Sequence, residues 1–438
     1  MSFALFIVLN AVLLIRPEDL LPEVAGTRLY LIVISLAALT ALADIVRRLG
    51  PAELFRSPIT VCVLGLLVAA GLSQVVRGRM SQAMDFVPEF AKVVVYYLLL
   101  IATVNTPARL RFFLGCLVLF IVIIAALGLF QYHGLIDVEA LKPVEQREYD
   151  AGTGEIISYP RLCSCGIFND PNDLCLVLTF GIICCLYRAA TASTHPAAAA
   201  WLAPVGLFGY AMVLTRSRGG FLGLLAAIAA YLIAKFGWRR ALPFVLVAVP
   251  LVLLAVGGRV SNIGLGAQDT AHTRVMLWAE GIAAMTRSPS LWLTGIGADE
   301  YVNEVGMVAH NSFVHAYVEL GLLGGTLFLA GFVLAARMLY RLRPAIRPAL
   351  PPNVAAFAPF LLAIVVGYCG GMFSLSRNYI VPTYLCLGVA ASYLAMVLPN
   401  PPAPYRLSPV WVKQTALIGI GGLVFLKAFT QLAGNLGQ

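Results

Sequence analysis

Long apolar runs separated by short polar turns dominate the chain. A helix needs roughly 17 to 25 apolar residues to cross about 30 Å of hydrocarbon. Such runs begin near Ser2, Leu29, Ile59, Phe86, Phe112, Asn172, Trp201, Gly219, Ala241, Ser312, Val354, Tyr379 and Val412. The pattern predicts an all-α polytopic membrane protein of about 12 to 13 transmembrane helices. The run from Ser2 to Ile15 is short and the final run holds Lys427, which makes these two the weakest spanning candidates. Met1 leads straight into apolar sequence with neither a basic leader nor a small-residue cleavage site, so no cleavable signal peptide is expected.

Two long polar stretches interrupt the pattern, from about Gln131 to Asp170 and from about Gly258 to Asn311. The first contains EQREYDAGTGEIISYPR, which suits a short hairpin or a flexible flap. In the second, Val275, Trp278, Ile282 and Met285 recur at spacings of three and four. That spacing predicts an amphipathic helix lying on the membrane surface, with Arg274 one turn before Trp278 and on the same side. Pro289 is expected to end this helix, and the glycines of TGIGADEY to turn the chain back toward His310.

Composition agrees: of 438 residues, 60% are hydrophobic and 12% charged, and the mean hydropathy is +0.88. These values exclude a soluble globular domain. The whole chain, 1–438, reads as one integral membrane domain. With the N-terminus inside, the short loops holding Arg47, Arg48 and Arg56, Arg109 and Arg111, Lys235, Arg239 and Arg240, and Arg337 to Arg347 fall on the cytoplasmic side. Both long loops, and His310 with them, then face the periplasm or cell exterior. The net charge of +9 reflects this topology and anionic lipid headgroups, and nucleic acid is not an expected partner. Of nine cysteines, Cys62, Cys116, Cys184, Cys185, Cys369 and Cys386 sit in apolar runs as small hydrophobes. Cys163 and Cys165 lie near the outer face with a spacing poor for a disulfide or for zinc, so a structural role is expected.

Candidate chemistry gathers at a few polar positions. Arg216 and Arg218 in TRSRGG sit between two apolar runs, where a guanidinium either snorkels to headgroups or meets an anion. Gly219 and Gly220 favour the anion, because glycines let phosphate approach a helix start and guanidinium forks match phosphate oxygens. Arg274 is either a phosphate ligand or the solvated edge of its helix. His310 is either a general base or a capping histidine, since neutral imidazole accepts a proton where hydrocarbon cannot. Asn311 or Ser312 suits a helix cap. His315 and Glu319, four apart, read as a structural pair or as support for the site. Glu89 and Lys92 read as a neutralised pair. Asp170 and Asp173 invite a metal, but Asp170 before Pro171 reads better as a helix cap, so neither a metal nor another cofactor is expected. Arg377 in SLSRN is a further basic residue that touches substrate or anchors a helix end.

Taken in order, GIFNDPNDL, LTRSRGG, HTRVMLWAEGI, LWLTGIGADEY and AHNSFVHAYVELGLLGG resemble the O-antigen ligase and polymerase family of bacterial envelope glycosyltransferases. The resemblance covers about Gly166 to Leu342 (166–342), including the loop 258–311, and the N-terminal half is similar only as a helical scaffold. It implies a multi-pass enzyme of the bacterial inner (cytoplasmic) membrane whose site faces the periplasm. The implied donor is an undecaprenyl-diphosphate-linked glycan, and the implied acceptor is a glycan, a lipid or a protein. Arg218, with Arg216, and Arg274 match positions that hold the donor diphosphate; His310 matches the histidine that activates the acceptor hydroxyl. No metal is implied, and a single displacement would invert the anomeric carbon. The rival reading is a transporter or flippase of anionic lipid-linked sugars, which would also place arginines in a membrane cavity.

Overall fold

A computed structural model describes the chain except residues 150–155, 244, 248–265, 343–350, 402–404 and 436–438; it leaves out the side chains of 148–149, 266–272, 430 and 432–435. The protein is an all-α polytopic membrane protein. Among the described residues, ten helices are long and apolar enough to cross a membrane. In chain order the principal elements are α1 (Ser2–Ile15), α2 (Leu29–Arg48), α3 (Pro58–Val75), α4 (Met80–Thr103) and α5 (Pro107–Tyr132). The hairpin β1 (Val144–Tyr149) and β2 (Ile156–Arg161) follows, then α6 (Pro171–Ala190), α7 (His195–Thr215) and α8 (Arg218–Phe236). After these come α9 (Gly266–Met285), α10 (Pro289–Thr294), α11 (Tyr301–Val305) and α12 (Ser312–Arg341). The last three are α13 (Pro352–Met372), α14 (Val381–Val397) and α15 (Pro409–Asn435).

Three of the expected spans fall outside the ten. Helix α1 has 14 residues, roughly 21 Å at the α-helical rise and short of the hydrocarbon thickness, and α14 has 17, at the lower end of the length that a span needs. Most of the run from Ala241 lies outside the described residues. Helices often begin several residues before their apolar runs. The starts are fixed by proline at the first position, as at Pro58, Pro107 and Pro171, where the missing N–H would have been unpaired anyway. Side chains of Thr106, Asp170, Thr194 and Ser217 accept the N–H groups of Arg109, Asn172, Ala197 and Gly220 as caps.

The chain divides into two compact units: Met1–Leu42, Thr103–Gly266 and Leu339–Gly371 form the first, and Ala43–Ala102, Ala267–Met338 and Met372–Gln438 the second. In the first, small residues let helices approach closely. A Cβ at Gly223 of α8 would lie 2.9 Å from the carbonyl oxygen of Gly367 in α13, and one at Gly181 of α6 would lie 2.8 Å from the Phe208 ring in α7. Without a hydrophobic drive inside lipid, such close backbone contact is what holds spans together. The first long polar loop contains an antiparallel hairpin, with Val144 opposite Arg161 and Tyr149 opposite Ile156. Its end is tied to α7 by the Leu162 N–H to the Leu214 carbonyl at 3.0 Å. All nine cysteines are free; Cys163 and Cys165 each donate to a backbone carbonyl, Lys142 and Ile15.

In the second unit, α12 breaks at Gly321, whose φ of 63° and ψ of −162° are not helical. The carbonyls of Val318 and Glu319 lose their partners four residues on, beyond the break. They accept instead from Ile296 at 2.9 Å and Gly297 at 3.1 Å. Irregular backbone at membrane depth survives only where protein supplies those bonds. The apolar face of α9 meets this core and not the membrane surface expected for it: Ile282 and Met285 pack with Tyr301, Tyr317 and Val318. The spacing gave the face correctly, but burial against protein satisfies it as well as lipid would. Pro289 does not end α9, which stops at Met285; it opens α10 with Ser288 as cap. Glu89 and Lys92 of α4 form the ion pair expected of them.

The two glycines at the break are irreplaceable for different reasons than an open-turn glycine. A Cβ at Gly321 would meet the Gly295 nitrogen at 2.5 Å, and one at Gly295 the Glu319 oxygen at 2.2 Å, whereas nothing lies within 4 Å at Gly306 (φ 93°). Gly321→Ala and Gly295→Ala are therefore expected to cost about 3 kcal/mol or more each, and Gly306→Ala about 1 kcal/mol. Thermal unfolding in detergent should rank their midpoints in that order; equal midpoints would contradict it.

Candidate functional site

In the first unit, the turn between α7 and α8 presents two of the sequence-selected arginines. Arg216 closes α7 in the left-handed region, with φ 52° and its N–H on the Val213 carbonyl. A non-glycine residue is held there only when its surroundings fix it. The surroundings are a polar cluster. Arg161 at the end of β2 donates to the Thr215 carbonyl at 2.9 Å and to Asn172 Oδ1 at 3.2 Å. The same Asn172 oxygen accepts the Ser217 hydroxyl at 2.6 Å, and Asp170 accepts from Asn172 at 2.7 and 2.9 Å. The Arg216 guanidinium lies 4.6 Å over the Tyr159 ring, and Arg218, first residue of α8, is exposed.

One expectation changes here. Gly220 does not open the turn for a phosphate; a Cβ there would lie 2.2 Å from Cys175 Sγ, so the glycine serves the packing of α8 on α6. Asp170 is the helix cap that its proline neighbour suggested. Among the described residues, no three of His, Cys, Asp and Glu converge as metal ligands. Arg161 and Tyr159 escaped the sequence reading, because a strand residue far along a polar loop carries no local signal of where it lands.

In the second unit, the helix that carries Arg274 is bonded to the turn that carries His310. Arg274 is half-buried on α9, and burial pulls its guanidinium below its ordinary pKa. No acidic partner answers it among the described residues. One turn along the same helix, Trp278 donates its indole N–H to the Ala309 carbonyl at 2.6 Å. The next residue, His310, is half-buried and left-handed, with φ 49°. Asn311 then caps α12, its Oδ1 accepting from Phe313 at 3.0 Å and Val314 at 3.2 Å. The histidine is thus fixed on both sides by bonds that belong to its neighbours.

Beneath this turn, two further sequence-selected regions meet. Ser312 donates to the Leu375 carbonyl at 2.7 Å and accepts the Arg377 N–H at 2.9 Å. Asn378 donates to the Ser312 carbonyl at 2.7 Å, so the SLSRN turn is stitched to the start of α12, and the Arg377 backbone takes part in the stitch. His315 Nε2 lies 2.9 Å from Glu319 Oε1, and its ring stacks on Tyr301 at 4.9 Å. The Glu319 carboxylate, fully buried, also accepts the Tyr301 N–H at 3.0 Å and the Tyr379 hydroxyl at 2.7 Å. Burial, then the Glu319 charge, pushes the Tyr379 hydroxyl well above its usual value, which keeps it a donor. Missed by sequence was a clamp on the loop: Arg79 pairs with Glu300 at 3.0 Å and Glu304 at 3.2 Å.

Residues 203–329 match the protein-family model described as O-antigen ligase. The matched segment runs from within α7 into α12 and contains Arg216, Arg218, Arg274, His310, Asn311, His315 and Glu319; Arg377 lies beyond it. No curated protein matches the chain.

Two substitutions test the support beneath the histidine turn. Trp278→Phe keeps the ring but removes the bond to Ala309, at a cost of about 1 kcal/mol; amide exchange at residues 309–311 should quicken while the remaining helices stay protected. Glu319→Gln sets an NH₂ against at least one donor and is expected to cost about 1–3 kcal/mol. A variant as stable as the parent protein would show that the carboxylate is not the hub described.

Proposed function

We infer, from the match of residues 203–329 to the O-antigen ligase family model, that this multi-pass membrane protein is a glycan-transferring enzyme working on a lipid-linked donor. The donor we propose is undecaprenyl-diphosphate-linked glycan, and the acceptor a hydroxyl of a glycan, lipid or protein. In the proposed orientation the two long loops face the periplasm from the inner membrane. The observation that carries the reading is the placing of Arg274 on the helix whose Trp278 bonds Ala309, the residue before His310. A half-buried guanidinium with no acidic partner among the described residues stands one turn from the tryptophan that anchors the histidine turn.

The chemistry follows from those groups. His310 takes the proton of the acceptor hydroxyl as its oxygen attacks the anomeric carbon. The bond from that carbon to the diphosphate oxygen breaks, and undecaprenyl diphosphate leaves with the electron pair. A diphosphate is already a good leaving group, so what remains to be stabilised is its growing charge. Arg274 serves that charge in a partly desolvated setting, where a charge-assisted contact is stronger than in water. Arg216 and Arg218 are assigned to donor-phosphate binding through the family resemblance alone. A single displacement inverts the anomeric centre, and no metal takes part in the proposal. Asn311, His315, Glu319 and Arg377 act indirectly, by holding the histidine turn in place.

The test uses purified full-length protein in lipid nanodiscs with an undecaprenyl-diphosphate oligosaccharide, with and without acceptor, followed by mass spectrometry. Lengthening of the lipid-linked product by whole repeats marks a polymerase, and transfer only on adding acceptor marks a ligase. His310→Ala is expected to lower turnover by about 10²–10⁴, and Arg274→Ala by about 10²–10³, with Arg274→Lys recovering part. Full activity in His310→Ala would remove the base assignment. Movement of intact donor across vesicles without glycosidic bond formation would favour a transporter.

A further inference from the structure

At the other end of α6 from Asp170 and Asn172, a second pair of arginines stands outside everything assigned above. Arg188 occupies the last turn of α6, and Arg111 lies near the start of α5. Arg188 Nη1 donates to the Arg111 carbonyl at 3.3 Å, which brings the two residues side by side. Among the described residues, Arg111 Nη1 reaches the Tyr187 hydroxyl at 3.5 Å and the Thr191 hydroxyl at 3.4 Å, both at the limit of a hydrogen bond, and its guanidinium lies 5.9 Å over the Tyr187 ring. The Arg188 Nε is buried and has no hydrogen-bond partner among the described residues. Neither guanidinium pairs with a carboxylate there.

Two adjacent cations at the edge of a bilayer need compensation. The C-terminus of α6 offers about half a negative charge against two full positive ones. Tyr187 and Thr191 offer neutral oxygens whose own protons are committed, to the Asn353 carbonyl at 2.8 Å and the Tyr187 carbonyl at 3.0 Å. The Arg188 guanidinium also lies 4.4 Å over the Trp201 ring near the start of α7. Trp201 lies in the second turn of α7, and tryptophan near the end of a span is enriched at headgroup level, which fits a lipid phosphate beside these donors.

We propose that Arg111 and Arg188, framed by Tyr187, Thr191 and Trp201, form a binding site for a phosphate group, that of an anionic phospholipid headgroup or of a free phosphate ion. The two guanidiniums supply forked N–H donors that suit phosphate oxygens, and Trp201 supplies an apolar wall beside them. The site lies at the end of α6 remote from the α7–α8 turn, and it does not depend on the glycan-transfer reading.

Native mass spectrometry of the delipidated full-length protein tests it, by titrating phosphatidylglycerol, phosphatidylcholine and inorganic phosphate against the parent chain, Arg111→Gln/Arg188→Gln and Arg188→Lys. The expected result is saturable phosphatidylglycerol binding, weakened about tenfold or more in the double Gln variant and less in the Lys variant, since losing charge-assisted bonds worth about 1.4 kcal/mol is a factor of ten. Binding of phosphatidylglycerol but not of inorganic phosphate assigns the lipid; binding of inorganic phosphate that is lost in the double variant assigns the free ion. Equal binding of phosphatidylglycerol and phosphatidylcholine, no binding of any probe, or binding unchanged by both substitutions overturns the proposal. Should the double variant fail to fold, the Arg188→Lys titration and the lipid preference of the parent chain still decide it.

Discussion

The break in α12 at Gly321 is the constraint on which the second unit depends. A helix inside a bilayer must satisfy its own backbone, and here two carbonyls are given up and answered by the N–H groups of Ile296 and Gly297. That exchange draws a loop of the chain against a membrane helix. It also seats Tyr301 beside α9, where the tyrosine hydroxyl donates to the Leu277 carbonyl at 2.8 Å. Once α9 is packed, Trp278 can reach Ala309, and the histidine turn acquires its fixed entry.

Glu319 lies directly before the break and explains why the arrangement takes one form. Its carboxylate collects donors from α11, from α12 and from the turn before α14. A buried carboxylate is costly unless its lone pairs are filled, and three donors fill most of them. Losing any of those elements would leave charge uncompensated, so the network favours the assembled state over partly docked ones. Two selected residues, Arg216 and His310, share a left-handed backbone outside glycine. At Arg216 the residue's own N–H on the Val213 carbonyl holds the conformation, and at His310 the bonds of Ala309 and Asn311 on either side fix the turn.

Legibility in the sequence followed the range of the interaction. Asp170 before Pro171 and Asn311 before the apolar run could be read as caps because a cap bonds only two or three residues ahead. The i and i+4 pair of His315 and Glu319 was readable for the same reason. The face of α9 was legible but its partner was not: spacing says which side is apolar, and lipid and protein both satisfy an apolar side. Gly220 was read as room for a phosphate, whereas it makes room for Cys175; an absent side chain does not say what approaches it.

The sequence by itself determined the class of the protein, its apolar helices, their caps and the candidate arginines and histidine, because these rest on hydropathy, on local hydrogen bonds and on ordered motifs. Tertiary structure alone decided that Arg161 reaches Asn172 and the α7–α8 turn, that Trp278 anchors Ala309, that Glu319 gathers Tyr301 and Tyr379, and that Arg111 meets Arg188. Each of these joins residues from different elements. Their meeting is set by helix packing and by the demand that every buried backbone group find a partner, and no pattern within a single segment encodes it.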